Sequence, residues 1–173
     1  MHWVLMCSAG KSQKIIEAID SALNQTLDDV KVLLIDDSGN AETNIQITSE
    51  DVLIKKNHIN MGYTKSLNIG LNYLKEISKE TLVETLCILD DDDVWIDKDK
   101  LRKQYNFLNT NQEFDIVASR CEVVNKANKI ILNGDNQYHG PANKRNILDS
   151  NPIVHSSVMY RAKKVFEEQI RYD

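Results

Sequence analysis

Asp90-Asp91-Asp92-Asp93 set four carboxylates on consecutive positions, directly after the apolar run Leu86-Cys87-Ile88-Leu89. Adjacent aspartates repel one another and are costly anywhere dry, so the pattern asks for something that offsets their charge. Mg²⁺ and Mn²⁺ do this, because hard divalent cations take carboxylate oxygens. An apolar run of this length, stopped by charge, reads as a buried strand. Ligands of open α/β sheets bind at the carboxyl ends of such strands. A second run, Val30 to Ile35, ends the same way in Asp36-Asp37. If the two strands lie side by side, their ends meet in one crevice. Asp37 could then accept hydrogen bonds from a nucleobase imide or a sugar hydroxyl, and Asp92 could hold a cation that bridges a diphosphate. Lys65 and Asn68 fall at the start of a helix behind the Gly62 turn, a location suited to anion contacts. The plainer readings are a solvated acidic turn capping the helix that follows Asp97 and Asp99, and a solvated helix charge at Lys65.

The elements that must position these groups follow from periodicity. Trp3 to Cys7 reads as a first strand and Ser8-Ala9-Gly10 as a turn. From Ser12 to Gln25, Ile15, Ile16, Ile19, Ala22 and Leu23 recur at helical spacing. Val52 to Ile54 is a short third strand, and Asn60-Met61-Gly62 a turn. A helix from about Thr64 to Ile77 carries Leu67, Leu71 and Leu74 on one face. After the acidic fourth strand comes a helix with Leu101, Tyr105 and Leu108, then a fifth strand at Asp115 to Ala118. Glu122 to Val124 and Lys129 to Leu132 suggest a hairpin. Asn133 to Pro141 reads as a polar loop and Asn143 to Asp149 as a short helix. Ile153 to Tyr160 reads as a last strand and Ala162 to Glu168 as a last helix. Alternating strands and helices imply an α/β fold around a mainly parallel sheet, with the antiparallel hairpin an addition.

Composition sets the outer limits. The 173 residues fit one domain, and 42% hydrophobic with 27% charged residues is ordinary for a soluble globular chain. A net charge of −5 argues against a nucleic-acid binder, which needs a basic face. It leaves room for a phosphorylated small molecule, because one metal ion reverses the local sign. Cys7, Cys87 and Cys121 have no CxxC spacing, and Cys7 and Cys87, in apolar strand-like runs, read as buried free thiols of a reducing compartment. The N-terminus lacks the length and basic start of a signal peptide, and no run reaches membrane-spanning length. The expectation is a cytoplasmic protein.

Two motifs are decoys or competitors. Ser8-Ala9-Gly10-Lys11-Ser12 imitates the end of a P-loop, but the glycine needed five residues before Gly10 is replaced by Leu5. Asp90-x-Asp92-x-Val94 matches the DxDx(T/V) element of haloacid-dehalogenase-like phosphatases. In those enzymes the nucleophile strand usually opens the chain, and a later Gly-Asp-x-x-x-Asp supplies metal ligands. Here Gly134-Asp135 is followed by Asn136-Gln137-Tyr138-His139, so the second aspartate is missing.

Four segments in order carry a family resemblance. Ser21-Ala22-Leu23-Asn24-Gln25-Thr26 with Val32 to Ser38 resembles the opening of family 2 inverting glycosyltransferases. Asn60-Met61-Gly62 through Leu67-Asn68-Ile69-Gly70 resembles their N-x-G…N-x-G segment. Leu89 to Trp95, with Lys100-Leu101 and Gln104 behind it, resembles their DxD region. His155-Ser156-Ser157-Val158-Met159-Tyr160-Arg161 resembles their acceptor-side strand. The resemblance implies a GT-A-like, Rossmann-like α/β sandwich that transfers a sugar from a nucleotide-diphosphate donor, with UDP-sugars favoured, to a saccharide or glycoconjugate hydroxyl with inversion. It implies that Cys7, Ser8 and Ala9 pack on the nucleoside, that Asp37 bonds the base, and that Asp90 or Asp91 contacts the ribose. Asp92 would ligate Mn²⁺ or Mg²⁺, and Gly62, Lys65 and Asn68 would complete the nucleotide site.

The chain departs from the family in three places. The first-strand loop is commonly Pro-Thr-Tyr-Asn and here reads Cys-Ser-Ala-Gly, so Ala9 offers no aromatic platform. Leu67 stands where an arginine is often found, leaving Lys65 as a substitute. The family's catalytic carboxylate follows the helix after the His155–Arg161 segment, and this chain stops at Arg171-Tyr172-Asp173, short of it. The sequence therefore reads as a single GT-A domain truncated at its C-terminus, with the base beyond residue 173 and His155 the one weak internal candidate. A nucleotide-sugar-binding fragment without catalysis is the alternative.

Overall fold

Successive residues of a strand face opposite sides of a sheet, and the first strand, β1 (His2–Ser8), divides its apolar side chains accordingly. Trp3, Leu5 and Cys7 join one buried cluster, and Val4 and Met6 join the other. The computed structural model describes residues 1–10, 12–39, 47–125, 127–132 and 153–173. In it β2 (Val30–Asp36) repeats the division, with Leu33 and Ile35 on one side and Val32 and Leu34 on the other. A strand apolar on both faces must be covered on both, which is why helices flank it.

One face is covered by α1 (Ile15–Leu23) through Ile15, Ala18, Ile19 and Ala22, and by α3 (Lys100–Thr110) through Leu101 and Leu108. The other is covered by α2 (Tyr63–Ile77) through Leu67, Leu71 and Leu74, and by α4 (Ala162–Glu167) through Ala162, Val165 and Phe166. With β3 (Val52–Lys56), β4 (Thr85–Ile88), β5 (Ile116–Ala118) and β8 (Val158–Arg161), the six-stranded sheet has the order β3-β2-β1-β4-β8-β5. β1 is parallel to β2 and β4, and β2 to β3, whereas β8 runs antiparallel to both β4 and β5. The hairpin is present as β6 (Val123–Val124) and β7 (Ile130–Leu132), a separate two-stranded antiparallel sheet.

Three sequence expectations shift. The strand read at Ile153 to Tyr160 opens instead as a 3-10 turn over His155–Ser157, and extended pairing begins only at Val158. Ser157 drives this: its amide and hydroxyl both donate to the Val154 carbonyl, at 3.0 and 2.6 Å, closing a turn where a ladder would otherwise run. Helix α1 starts at Ile15 rather than Ser12, because the Ser12 hydroxyl bonds the Asp91 carbonyl at 2.7 Å while accepting from the Lys14 amide at 3.1 Å. Strands two and four are not neighbours, since β1 lies between them. The loop read at Asn133 to Pro141 and the helix read at Asn143 to Asp149 lie outside the described residues. No helix among the described residues is long and apolar enough to cross a membrane.

Helix α2 rests very close on β1. A Cβ placed on Gly70 would stand 2.3 Å from Leu5 Cδ1, and Leu5 is fully buried. Gly70→Ala must displace that side chain inside a packed interior, and is expected to lower unfolding free energy by roughly 1–3 kcal/mol in chemical denaturation. An unchanged denaturation midpoint would show that the core yields at no cost there.

Candidate functional site

Strand register brings the site together. Leu5 pairs with Leu33 on one side and Ile88 on the other, and Ser8 pairs with Asp36. Continuing two residues past the Leu5–Ile88 pair sets Cys7 level with Asp90. A cavity of about 550 Å³ opens at this edge, lined by Cys7, Ala9, Ser12, Tyr63, Asp90, Asp91 and Asp92. Five of the ten residues singled out from sequence for nucleotide or metal are in that lining: Cys7, Ala9, Asp90, Asp91 and Asp92. Ser8 is buried beside them, its hydroxyl accepting from the Gly10 amide at 3.1 Å and bonding the Asp91 carboxylate.

The other four sit around this rim in different roles. Asp37 is only 3% exposed. Its Oδ1 accepts from Asn57 Nδ2 and the Met61 amide, and its Oδ2 from the Gly62 amide, each at 2.8 Å. It thereby fixes the turn before α2, while Gly62 takes φ +84°, a left-handed conformation that glycine adopts without strain. Lys65 is exposed on the first turn of α2 and does not line the cavity. Asn68 faces the C-terminal segment, donating to the Tyr172 carbonyl at 2.9 Å and accepting from its amide at 3.0 Å.

Charge is handled unevenly across the acidic loop. Burial pushes the Asp91 carboxyl above its ordinary value, and the neighbouring Asp92 and Asp90 charges add to this, against a hydrogen bond from Ser8. Asp93 is raised for the same reasons, its bond from Ser156 opposing. Burial, with Asp37, Asp90 and Asp91 nearby, pushes the Cys7 thiol up to about 12, so it is a neutral wall and not a nucleophile. Among the described residues no group of three His, Cys, Asp or Glu side chains is arranged to hold a metal ion. Asp92 is exposed at the cavity and presents hard oxygen donors there. Those donors suit Mg²⁺ or Mn²⁺, which are commonly bound by one or two carboxylates together with substrate phosphates.

Sequence reading missed Ser12, Tyr63 and Tyr172. Ser12 was hidden inside the false P-loop. Tyr63 directly follows the Gly62 turn, and its hydroxyl donates to Asp90 Oδ1 and meets His155 Nδ1 at 3.0 Å. Partial burial and that bond hold the phenol well above its ordinary pKa. His155 is half-buried 3.9 Å from Asp90 Oδ1, and its Nε2 meets the Tyr172 hydroxyl at 2.8 Å. Burial lowers the imidazole's pKa, and the Asp90 charge offsets this only partly.

Comparison with known proteins agrees with this geometry. The family model described as glycosyl transferase family 2 matches residues 3–169. An uncharacterized glycosyltransferase of Haemophilus influenzae is 26% identical over 165 residues, covering 90% of this chain and 45% of that protein. Residues 1–349 of S. aureus TarS superpose with a TM-score of 0.70 at 18% identity, covering 99% of this chain and 50% of that one. That protein has also been solved with UDP and with UDP-GlcNAc. The mannosyltransferase PcManGT of Pyrobaculum calidifontis, solved with GDP-Man and Mn²⁺, gives 0.61 at 14% identity, covering 99% and 47%. The chain thus spans about half the length of these relatives. The family match sets the phosphatase reading aside.

Asp37 offers a direct check on the rim. Burial alone would raise its carboxyl, but hydrogen bonds from Asn57, Met61, Ser66 and Gly62 outweigh it and hold the group below 3.8. A depressed folded pKa means stability that is fully present above the unfolded value and lost as pH falls through the folded one. The free energy of unfolding is therefore expected to fall as the pH drops through the ordinary carboxylate value of about 4 and below, and to fall less in Asp37→Asn. At neutral pH that variant is expected to be less stable by roughly 1–3 kcal/mol, because an amide group would face donor amides. Parallel pH profiles for the two proteins would remove Asp37 from this role.

Proposed function

We propose, from the premise that the chain belongs to glycosyl transferase family 2, that residues 1–173 bind a nucleotide-sugar donor and that the whole protein transfers its sugar to an acceptor hydroxyl with inversion. The observation that carries this is the cavity at the ends of β1 and β4, lined by Asp90, Asp91 and Asp92 from the loop after β4 and by Cys7 and Ala9 from the end of β1. A 550 Å³ cleft walled by carboxylates suits a diphosphate only if a cation accompanies it. The relatives solved with UDP-GlcNAc and with GDP-Man and Mn²⁺ support the same class of ligand.

Cys7, Ser8 and Ala9 would pack against the nucleoside, and Asp90 or Asp91 would accept from ribose hydroxyls. Asp37 would contribute by holding the turn of residues 57–62 that forms the base-side rim, where Gly39, Asn57 and His58 line a second, smaller hollow. Gly62 would keep that turn open, Lys65 would face the phosphates from the first turn of α2, and Asn68 would hold the C-terminal segment against the rim. Asp92 would hold the divalent cation, Mn²⁺ or Mg²⁺, which when bound supplies charge neutralisation to the departing diphosphate. The acceptor would be a saccharide or glycoconjugate. Inverting transfer also needs a base near the acceptor hydroxyl, opposite the leaving group. Glu167 at the end of α4 and Glu168 just past it are exposed and do not line the cavity, and no described residue is assigned that role.

Titration calorimetry of UDP with and without Mn²⁺ tests the donor reading. Wild type is expected to bind UDP more tightly with the metal, and Asp92→Asn is expected to bind it equally with or without. Retention of the full metal effect in Asp92→Asn would contradict the assignment of Asp92.

A further inference from the structure

Asp90 is held by a line of side chains whose hydrogen-bond directions follow from elementary donor and acceptor rules. Tyr63 donates its only hydroxyl proton to Asp90 Oδ1, since an ionised carboxylate accepts and cannot donate. The 3.0 Å contact between the Tyr63 oxygen and His155 Nδ1 then needs its proton from the imidazole, so Nδ1 carries the hydrogen. A neutral imidazole bears one proton, which leaves Nε2 a lone pair. At 2.8 Å from Nε2 the Tyr172 hydroxyl is the donor. The Tyr172 hydroxyl also bonds that of Tyr160, and with its own proton given to His155 it accepts there, so the line runs Tyr160 to Tyr172 to His155 to Tyr63 to Asp90. Partial burial of the imidazole is consistent with its neutral form.

Each member is anchored by a different element. The Asn68 amide grips the Tyr172 backbone through two bonds. His155 begins the 3-10 turn whose next residue, Ser156, accepts from the Asp90 amide at 3.1 Å. Tyr63 is the first residue of α2, beside the turn that Asp37 organises. Tyr63 and Asp90 line the cavity, while His155 and Tyr172 stand behind them.

We propose that Tyr63, His155 and Tyr172 are positioning residues that lock the Asp90 carboxylate toward the nucleotide, with His155 in its neutral Nδ1–H form. This rests on the donor reading above. It also gives His155 a definite task that excludes service as acceptor base, because its one lone pair already accepts from Tyr172. Ala9 and Tyr63 line the same cavity, and the phenol is the aromatic member of that lining.

Two measurements on the 173-residue protein test it. Imidazole ¹⁵N–¹H correlation spectra, assigned with His155→Gln, are expected to show the His155 proton on Nδ1 in wild type. Tyr63→Phe removes the acceptor of the Nδ1 proton and is expected to let the Nε2–H form appear. A wild-type proton on Nε2, or a tautomer unmoved in Tyr63→Phe, overturns the chain. In calorimetry with UDP and Mn²⁺, Tyr63→Phe is expected to bind about tenfold more weakly at unchanged melting temperature, as befits loss of one hydrogen bond to a charged group. Tyr63→Phe binding equal to wild type overturns the link from the chain to the nucleotide. If wild type binds no UDP while its His155 proton sits on Nδ1, the donor reading fails and the side-chain line stands.

Discussion

Negative charge converging at one sheet edge is the constraint from which the rest of this structure follows. β1, β2 and β4 run parallel, so Asp36, Asp37 and the run Asp90–Asp93 are delivered to the same side of the molecule. Most of this charge is contained by protein donors. Asp37 has Asn57, Met61 and Gly62; Asp36 has the Ser38 amide at 3.0 Å and the Lys56 ammonium at 3.8 Å. Asp90 has Tyr63, Asp91 has Ser8, and Asp93 has Ser156. Among the described residues no hydrogen bond holds the Asp92 carboxylate, and it faces the cavity. The containment of its neighbours makes Asp92 the place where an incoming cation meets least competition.

The acidic loop is fastened from below, which keeps these aspartates in register. The Trp95 indole donates to the Ser156 carbonyl at 2.7 Å, and Gln104 Nε2 to the Ser157 carbonyl at 2.8 Å. Lys100 is 7% exposed, bonds Gln104 Oε1 at 2.9 Å and stands 4.0 Å above the Trp95 ring. Burial brings its ammonium down to about 8, and the glutamine oxygen and ring face supply what water no longer does. One brace therefore ties the loop after β4, the start of α3 and the His155–Ser157 turn. A site that depends on sub-ångström placement of carboxylates needs such support from rigid elements.

Much of this was legible in sequence because it rests on local periodicity. Apolar runs located β1, β2 and β4, the last two ending in carboxylates, and spacing of leucines and isoleucines located α1, α2 and α3. The acidic run likewise marked the cavity edge. What could not be read is tertiary. The strand at Val158 pairs antiparallel with β4, and its short length is set by a serine turning on the Val154 carbonyl. Tyr63 looks like an ordinary helix-start residue until the fold sets it against His155, 92 positions away. Asp37 advertised its charge but not that backbone amides would take up its oxygens.

The central claim is that a metal-bound nucleoside diphosphate sits at the ends of β1 and β4. Paramagnetic broadening tests it directly: backbone amide spectra of the 173-residue protein recorded with UDP while Mn²⁺ is added in small steps. Broadening is expected first at Cys7 to Ala9, Asp90 to Asp93 and Tyr63, and to require UDP for its full strength. Broadening that begins at the exposed carboxylates of α4, or that is the same with and without UDP, would contradict the placement of the donor site.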